Sequence, residues 1–197
     1  MADNNGILHR SATVHRFREM QSKTFLYDKT GAFLNYWFKL SKKGLTPEKS
    51  SIHPGDMISL LPGVLMLETD EKMAQFRIRL FGTGNVDRWG FEATNTNYLD
   101  LVAPQQHPAL LKNFSHALRN PCGLVLTGDE LYASGRVARI EMILMPVHIE
   151  NRDNAILLGI MTADPDSPTR YGDDTLASLF YTISSVNLIN IGAGVSG

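Results

Sequence analysis

Between Leu60 and Gly90 the chain reads LLPGVLMLETDEKMAQFRIRLFGTGNVDRWG, two strand-like runs joined by a charged connection and released into a glycine-punctuated segment. Val64 to Thr69 is short, apolar and composed of residues that strands accept. After Asp70 to Lys72, Phe76, Ile78 and Leu80 alternate with Arg77, Arg79 and Phe81, a period of two that predicts a second strand over Gln75 to Phe81. The pair reads as an antiparallel hairpin, which places the chain among folds built around an antiparallel sheet.

Gly82-Thr83-Gly84-Asn85-Val86-Asp87 follows the second strand and enters a helical run, the context in which a dinucleotide fingerprint would matter. Asp87 stands where that motif needs a third glycine for close helix-to-strand packing, and a hairpin is not the parallel crossover unit the motif belongs to. Two glycines that permit a sharp exit from a strand account for the segment better.

Around this centre the periodicities predict an α+β chain. Phe33, Leu34, Tyr36, Trp37, Phe38 and Leu40 crowd one predicted helix that ends near Gly44, with Pro47 beyond it. These side chains point in several directions about the axis, so the helix needs burial on more than one side. Two readings stay open: packing on the chain's own sheet, and a homodimer in which Phe33, Tyr36, Trp37 and Phe38 meet a second copy.

His53-Pro54 predicts a short helix carrying Met57, Ile58, Leu60 and Leu61. Helical segments are expected over Val86 to Phe91 and Asn95 to Leu101. A longer helix begins at Pro108 and stops at Asn120-Pro121, with Leu110, Leu111, Phe114, Ala117 and Leu118 as its apolar stripe. Three strands follow, Gly123 to Tyr132, Val137 to Val147 and Ala155 to Ala163. The middle one is apolar over its length on one face and only beyond Glu141 on the other; the last is apolar throughout and belongs in the centre of the sheet. Leu176, Leu179, Phe180, Ile183 and Val186 then recur at helical spacing and predict a C-terminal helix.

At 197 residues with 43% apolar composition the chain can bury one sizeable core. Its 19 basic and 20 acidic residues nearly cancel, which argues against a nucleic-acid or anionic-membrane partner. Cys122 is the lone cysteine, so neither an internal disulfide nor a thiolate metal site can form, and the N-terminal MADNNGILHRSATVHR lacks the apolar run of a secretory signal. A cytoplasmic location is the expectation, and no run is apolar for long enough to span a membrane.

The run FLNYWFKL, the segment IHPGDMISLLPGVLMLE, and FRIRLFGTGNVDRWG with the later Leu99-Asp100-Leu101 resemble a PAS-like family of bacterial single-domain proteins. The matching positions are Tyr36-Trp37, Pro54, Leu60-Leu61-Pro62 and Arg79-Leu80-Phe81-Gly82-Thr83, in that order along roughly residues 30 to 165. The resemblance implies a five-stranded antiparallel sheet with helices on one face, and sensing or interaction, as in signal transduction, more than chemistry; the N-terminal and C-terminal helices are added by the periodicities. The resemblance leaves the two ends unexplained, so the chain is divided into a mobile arm over 1–27, the PAS-like domain over 28–168 and a helical extension over 169–197. Glycine is common in the family near Asn95, where this chain reads Thr94-Asn95-Thr96-Asn97; asparagine tolerates left-handed backbone angles, so the turn is expected to survive.

A PAS-type cavity would lie between sheet and helices, lined by Trp89, Phe91, Tyr98, Phe114, Met142, Leu144 and Met161, and would suit an apolar ligand. A filled core made of the same residues fits the sequence equally well. His116 falls almost opposite the Leu110, Phe114, Ala117 and Leu118 stripe and is expected to face solvent, while His107 precedes the helix on a loop. Cys122, in Asn120-Pro121-Cys122-Gly123, reads as a buried structural thiol and not as a flavin-linked one. His9, His15, His53 and His148 are dispersed, so no metal is predicted, and no cofactor is named by the residues. Asp129-Glu130, Asp164-Asp166 and Asp173-Asp174 are assigned to turns or a helix start, without a catalytic pair. Arg79 is expected to pair with Glu141 or to meet a polar ligand group.

Three functions are compatible with these residues: a sensory or regulatory module acting through protein–protein contacts under control of a small apolar ligand, a ligand-free interaction adaptor, and a small α+β enzyme using the same cavity. The downstream partner is not legible.

Overall fold

The computed structural model describes residues 25–150, 155–164 and 174–194. Residues 1–24 of the arm expected over 1–27, with His9 and His15, and the positions Pro165, Asp166, Pro168 and Asp173 lie outside the described residues. Helix α1 (Asp28–Lys39) leads into a small hairpin, β1 (Lys42–Lys43) with β2 (Thr46–Pro47), and a 3-10 segment, Pro54–Gly63. Strands β3 (Val64–Thr69) and β4 (Arg77–Phe81) follow, then α2 (Thr83–Trp89), a 3-10 turn at Tyr98–Leu101, and α3 (His107–Arg119). Strands β5 (Cys122–Tyr132), β6 (Val137–Val147), β7 (Ala155–Ala163) and β8 (Leu176–Asn190) complete the chain.

The hairpin forms as expected, β3 pairing antiparallel with β4, Leu65 opposite Phe81 and Glu68 opposite Arg77, but a register shift between Met66 and Leu67 breaks the alternation, so that Phe81 turns inward and Leu80 outward. The main sheet has the order β4-β3-β7-β6-β5-β8, so β7 sits in its middle between β3 and β6. Asn95 adopts a φ of 72°, and the turn expected there survives without glycine.

Three expectations need correction. The sheet has six strands, not five. The segment expected as a C-terminal helix is β8, which pairs with β5 from Cys122 opposite Asn190 to Tyr132 opposite Leu176. Its apolar spacing fits a helix, but Thr182-Ile183-Ser184-Ser185-Val186 is rich in β-branched and hydroxyl side chains, and the exposed edge of β5 supplies a ladder for them. A bulge at Phe180, φ 44°, and register shifts near Asp129 let Leu179 and Phe180 both turn inward, which blurred the period of two.

The third correction concerns the sheet faces: helices cover both. One core holds Leu65, Leu67, Leu124, Leu126, Ile140, Met142, Leu144 and Leu157 under α2, α3 and the Tyr98–Leu101 turn. The other holds Val64, Met66, Val125, Ile143, Met145, Ile156, Leu158 and Ile160 under α1 and the 3-10 segment. Strands apolar on both faces require two covers.

The second cover is the aromatic helix. Phe33, Leu34 and Trp37 have no exposed surface, Tyr36 is buried, and the Trp37 indole donates to the Pro146 carbonyl at 3.2 Å. The sheet and the 3-10 segment together bury the several faces of α1 that suggested a dimer. Phe33, Tyr36 and Trp37 are thus interior residues of one chain, and only Phe38 stays partly exposed, edge-on to Trp37 and beneath Lys42.

Glu141 explains why β6 is polar at one end of this face. Fully buried, its carboxylate accepts hydrogen bonds from the Leu26 N–H at 2.8 Å, the Tyr27 N–H at 3.3 Å and the Thr30 hydroxyl, capping the positive end of α1. Arg79 does not reach it. Arg79 pairs instead with Glu68 on the adjacent strand, at 2.9 Å, and with the Asn95 side chain.

Candidate functional site

Strand β5 places Leu124, Leu126, Glu130 and Tyr132 on the face that carries the first core. Glu130 is fully buried there, and its environment follows from α2. Gly82 ends β4 and starts that helix. A Cβ on Gly82 would lie 2.3 Å from the Leu61 carbonyl oxygen, and one on Gly84 2.9 Å from that of Pro62. The two glycines let α2 lie against the 3-10 segment, and Asn85 anchors it by donating to the Val64 carbonyl at 3.0 Å.

Held in that position, α2 aims its last turn at Glu130. Arg88 donates through Nε to Oε2 at 3.1 Å and through Nη2 to Oε1 at 3.2 Å, a two-pronged pair that is buried on both sides. The Trp89 indole N–H reaches Oε1 at 2.8 Å and the Tyr132 hydroxyl reaches Oε2 at 2.7 Å. Outside this group Arg136 lies 3.6 Å over the Tyr132 ring and is bound to Asp174 at 3.1 Å. Burial raises the Asp174 carboxyl, but hydrogen bonds from the Ser134 backbone and hydroxyl and from Arg136 outweigh it and set the group below its ordinary range.

Burial pushes the Tyr132 hydroxyl well above the ordinary tyrosine range, and the Glu130 charge and hydrogen bond push it further. Tyr98 is raised by burial and by the same Glu130 charge. For an acid whose folded pKa is raised, stability is intact below the unfolded value of about 10 and falls as pH climbs above it. We expect unfolding free energy to decline above about pH 10, with Tyr132→Phe flattening part of that slope. Urea titrations at stepped pH check this, and a slope unchanged in Tyr132→Phe would refute it.

The seven residues expected around a central cavity do converge. Trp89, Tyr98, Phe114, Met142, Leu144 and Met161 belong to one buried core, and Phe91 packs on it partly exposed. Within the set the Tyr98 hydroxyl lies 3.4 Å from the Met142 sulfur, the Tyr98 and Phe114 ring centroids are 5.9 Å apart, and those of Trp89 and Phe91 6.1 Å apart.

A cavity of about 560 Å³ opens at the rim of the sheet instead, where β7 ends, β3 begins and α1 starts. Its lining includes Arg88, Tyr132 and Arg136 as well as the apolar Leu60, Pro62, Ile160 and Met161. Met161 is the one member of the predicted set that it shares.

Glu130, Arg88 and Arg136 were not singled out from sequence. Asp129-Glu130 was assigned to a turn, whereas both lie within β5: Asp129 pairs with Arg139 at 2.6 Å and Glu130 points inward. The available signal was parity, since Glu130 is an even number of residues from Leu124 and Leu126. His107 opens α3 and meets the Val102 carbonyl through Nε2 at 2.9 Å; His116 is partly buried on the same helix, less solvent-facing than its angle predicted. Cys122 is buried, as expected, and burial raises its thiol pKa. Among the described residues no three His, Cys, Asp or Glu side chains are grouped to hold a metal, and no helix is long and apolar enough to cross a membrane.

A hairpin feeding a run of helical segments, then three antiparallel strands with the last in the centre, is the arrangement the sequence resemblance implied. The sequence profile of a PAS domain family matches residues 27–162, well over half of the chain. The chain belongs to the PAS domain family. Its match covers α1 through β7, so strand β8 lies beyond the matched PAS domain although it extends the same sheet. PAS domains are sensory and regulatory modules, and that general role is the chain's. No curated protein matches the chain.

Proposed function

We propose that this PAS module takes a small ligand in the rim cavity and passes its state on through protein–protein contacts. One observation carries the reading. Arg88 and Tyr132 stand on the cavity wall, and both hold the Glu130 carboxylate that also receives the indole N–H of Trp89 in the aromatic core. A ligand that draws Arg88 or Tyr132 toward itself changes the hydrogen bonding of Trp89, and with it the seating of α2. Such a ligand shifts the protein only by as much as it prefers one seating over the other.

Native mass spectrometry of the freshly purified chain, followed by release of small molecules on denaturation, tests the proposal. The expected result is a retained organic mass whose removal lowers the melting temperature, because it binds the folded state alone. Ligand-free mass together with no thermal response to any metabolite fraction would overturn it. The ligand-free adaptor is a second reading, favoured by the Tyr98 ring and hydroxyl occupying the space between Phe114 and Met142 where an apolar ligand would otherwise sit. The apolar seat among Trp89, Phe91, Tyr98, Phe114, Met142, Leu144 and Met161 would require Tyr98 to leave it, and a retained apolar molecule that Phe114→Ala weakens would favour that seat.

A further inference from the structure

The two edges of the main sheet are finished differently. At one end β4 is closed on its outer side by the loop that follows α2. The Ile78 N–H donates to the Thr96 carbonyl at 2.9 Å, the Asn95 N–H to the Ile78 carbonyl at 2.8 Å and the Tyr98 N–H to the Phe76 carbonyl at 2.7 Å. Exposed Arg77 and Arg79 add charge to the same edge. At the other end β8 is met near its start, where the Ala103 N–H donates to the Leu179 carbonyl at 3.0 Å. Beyond that point, over 181–190, β8 has no backbone partner other than β5 among the described residues.

Proteins guard an open sheet edge with charge, proline, bulges or short strands. Strand β8 is 15 residues long and contains no Lys, Arg, Asp, Glu or Pro. Its irregularities lie before Ser185, so residues 185–190 pair with β5 in unbroken register, Ser185 opposite Thr127 and Asn190 opposite Cys122. On this straight run Val186 and Leu188 sit partly buried at the margin of the first core, and Asn187 between them is exposed.

We propose that residues 184–190 of β8 pair antiparallel with the same residues of a second copy, joining two sheets into one. A twofold axis at Asn187 sets Val186 of each copy opposite Leu188 of the other and continues the first core across the junction. Asn187 then faces itself, Ser185 faces Ile189, and no charge meets a like charge at any position. A partner of another sequence would find no charge on this strand to select it. The assembly stops at two copies, because the loop on β4 blocks the head-to-tail pairing of β8 with β4. Dimerisation through β8 is independent of a ligand in the rim cavity, so its failure leaves the proposed function standing.

Sedimentation of the full chain over a wide range of concentrations tests this, with a dimer that dissociates on dilution as the expected result. Ser184→Lys combined with Asn187→Lys, both at exposed positions, brings like charges face to face and should weaken the dimer about tenfold or more. Phe38→Glu on α1 should leave it unchanged. Opposed residues of antiparallel strands have Cα atoms about 4.5–5.5 Å apart, within disulfide reach. Cys122 is buried, so diamide should link Asn187→Cys into a covalent dimer and leave the parent unlinked. Circular dichroism confirms that each variant is folded, and should the lysine pair unfold the chain, the cysteine variant decides alone. A monomer at every concentration, a dimer that the lysine pair leaves intact, one that Phe38→Glu dissolves, or no link through Asn187→Cys would overturn the inference.

Discussion

Replacing Glu130 with leucine is expected to cost about 3–5 kcal/mol of unfolding free energy, measured by urea denaturation of the full chain. The magnitude follows from what the carboxylate holds. Glu130 is fully buried and receives Arg88, Trp89 and Tyr132, and Arg88 is itself buried. Removal leaves a guanidinium without its counter-charge in a low-dielectric site, together with an indole N–H and a hydroxyl that have lost their acceptor. The double variant Arg88→Met with Glu130→Leu removes the stranded charge as well as its partner, and should recover much of the loss. A cost for Glu130→Leu below about 1 kcal/mol, the level of an exposed ion pair, would show that the group is hydrated and not a core element.

The same group shows why part of the site was illegible in the sequence. The hairpin, β6 and β7 were legible nearly to the residue, because Phe76 to Arg79 and Ala138 to Glu141 alternate and Ala155 to Ala163 is apolar throughout, although the bulge that exposes Leu80 and buries Phe81 was not. Trp89, Tyr98, Phe114 and Met142 were legible as one cluster because large side chains on separate segments have few other places to go. Glu130 broke the rule that carboxylates belong to turns, and only its partners, 42 residues away at Arg88 and 41 at Trp89, make its burial tolerable. Strand β8 failed for a related reason: its conformation is decided by the free edge of β5, a long-range fact that overrides local spacing. The burial of α1 was undecided between one chain and two until the second sheet face, set by Val64, Met66, Ile143 and Leu158, was seen to need a cover.

Gly159 should tolerate no side chain at all. It lies in β7 between Leu158 and Ile160, opposite Leu144 on β6 and Leu65 on β3, in the strand that carries the centre of the sheet. A Cβ there would sit 1.7 Å from the Ile143 carbonyl oxygen and 2.7 Å from its carbon, backbone atoms that no rotamer change can move aside. Glycine inside a strand marks a place where another backbone comes unusually close, and here that approach sets how tightly β6 and β7 pair. Gly159→Ala must spread the two strands, and because both cores are built on β6 and β7 the disturbance reaches each of them. The expected loss exceeds about 4 kcal/mol, enough to leave little folded protein in a domain of ordinary stability. Gly55→Ala is the matched control, since a Cβ at Gly55 meets nothing within 4 Å and its stability should stay within about 0.5 kcal/mol of the parent. Urea unfolding that places Gly159→Ala within about 1 kcal/mol of the parent would mean that β6 and β7 stand further apart than described. Both faces of the sheet would then have to be repacked around a wider spacing, and the seating of Tyr98 against Met142 would change with them.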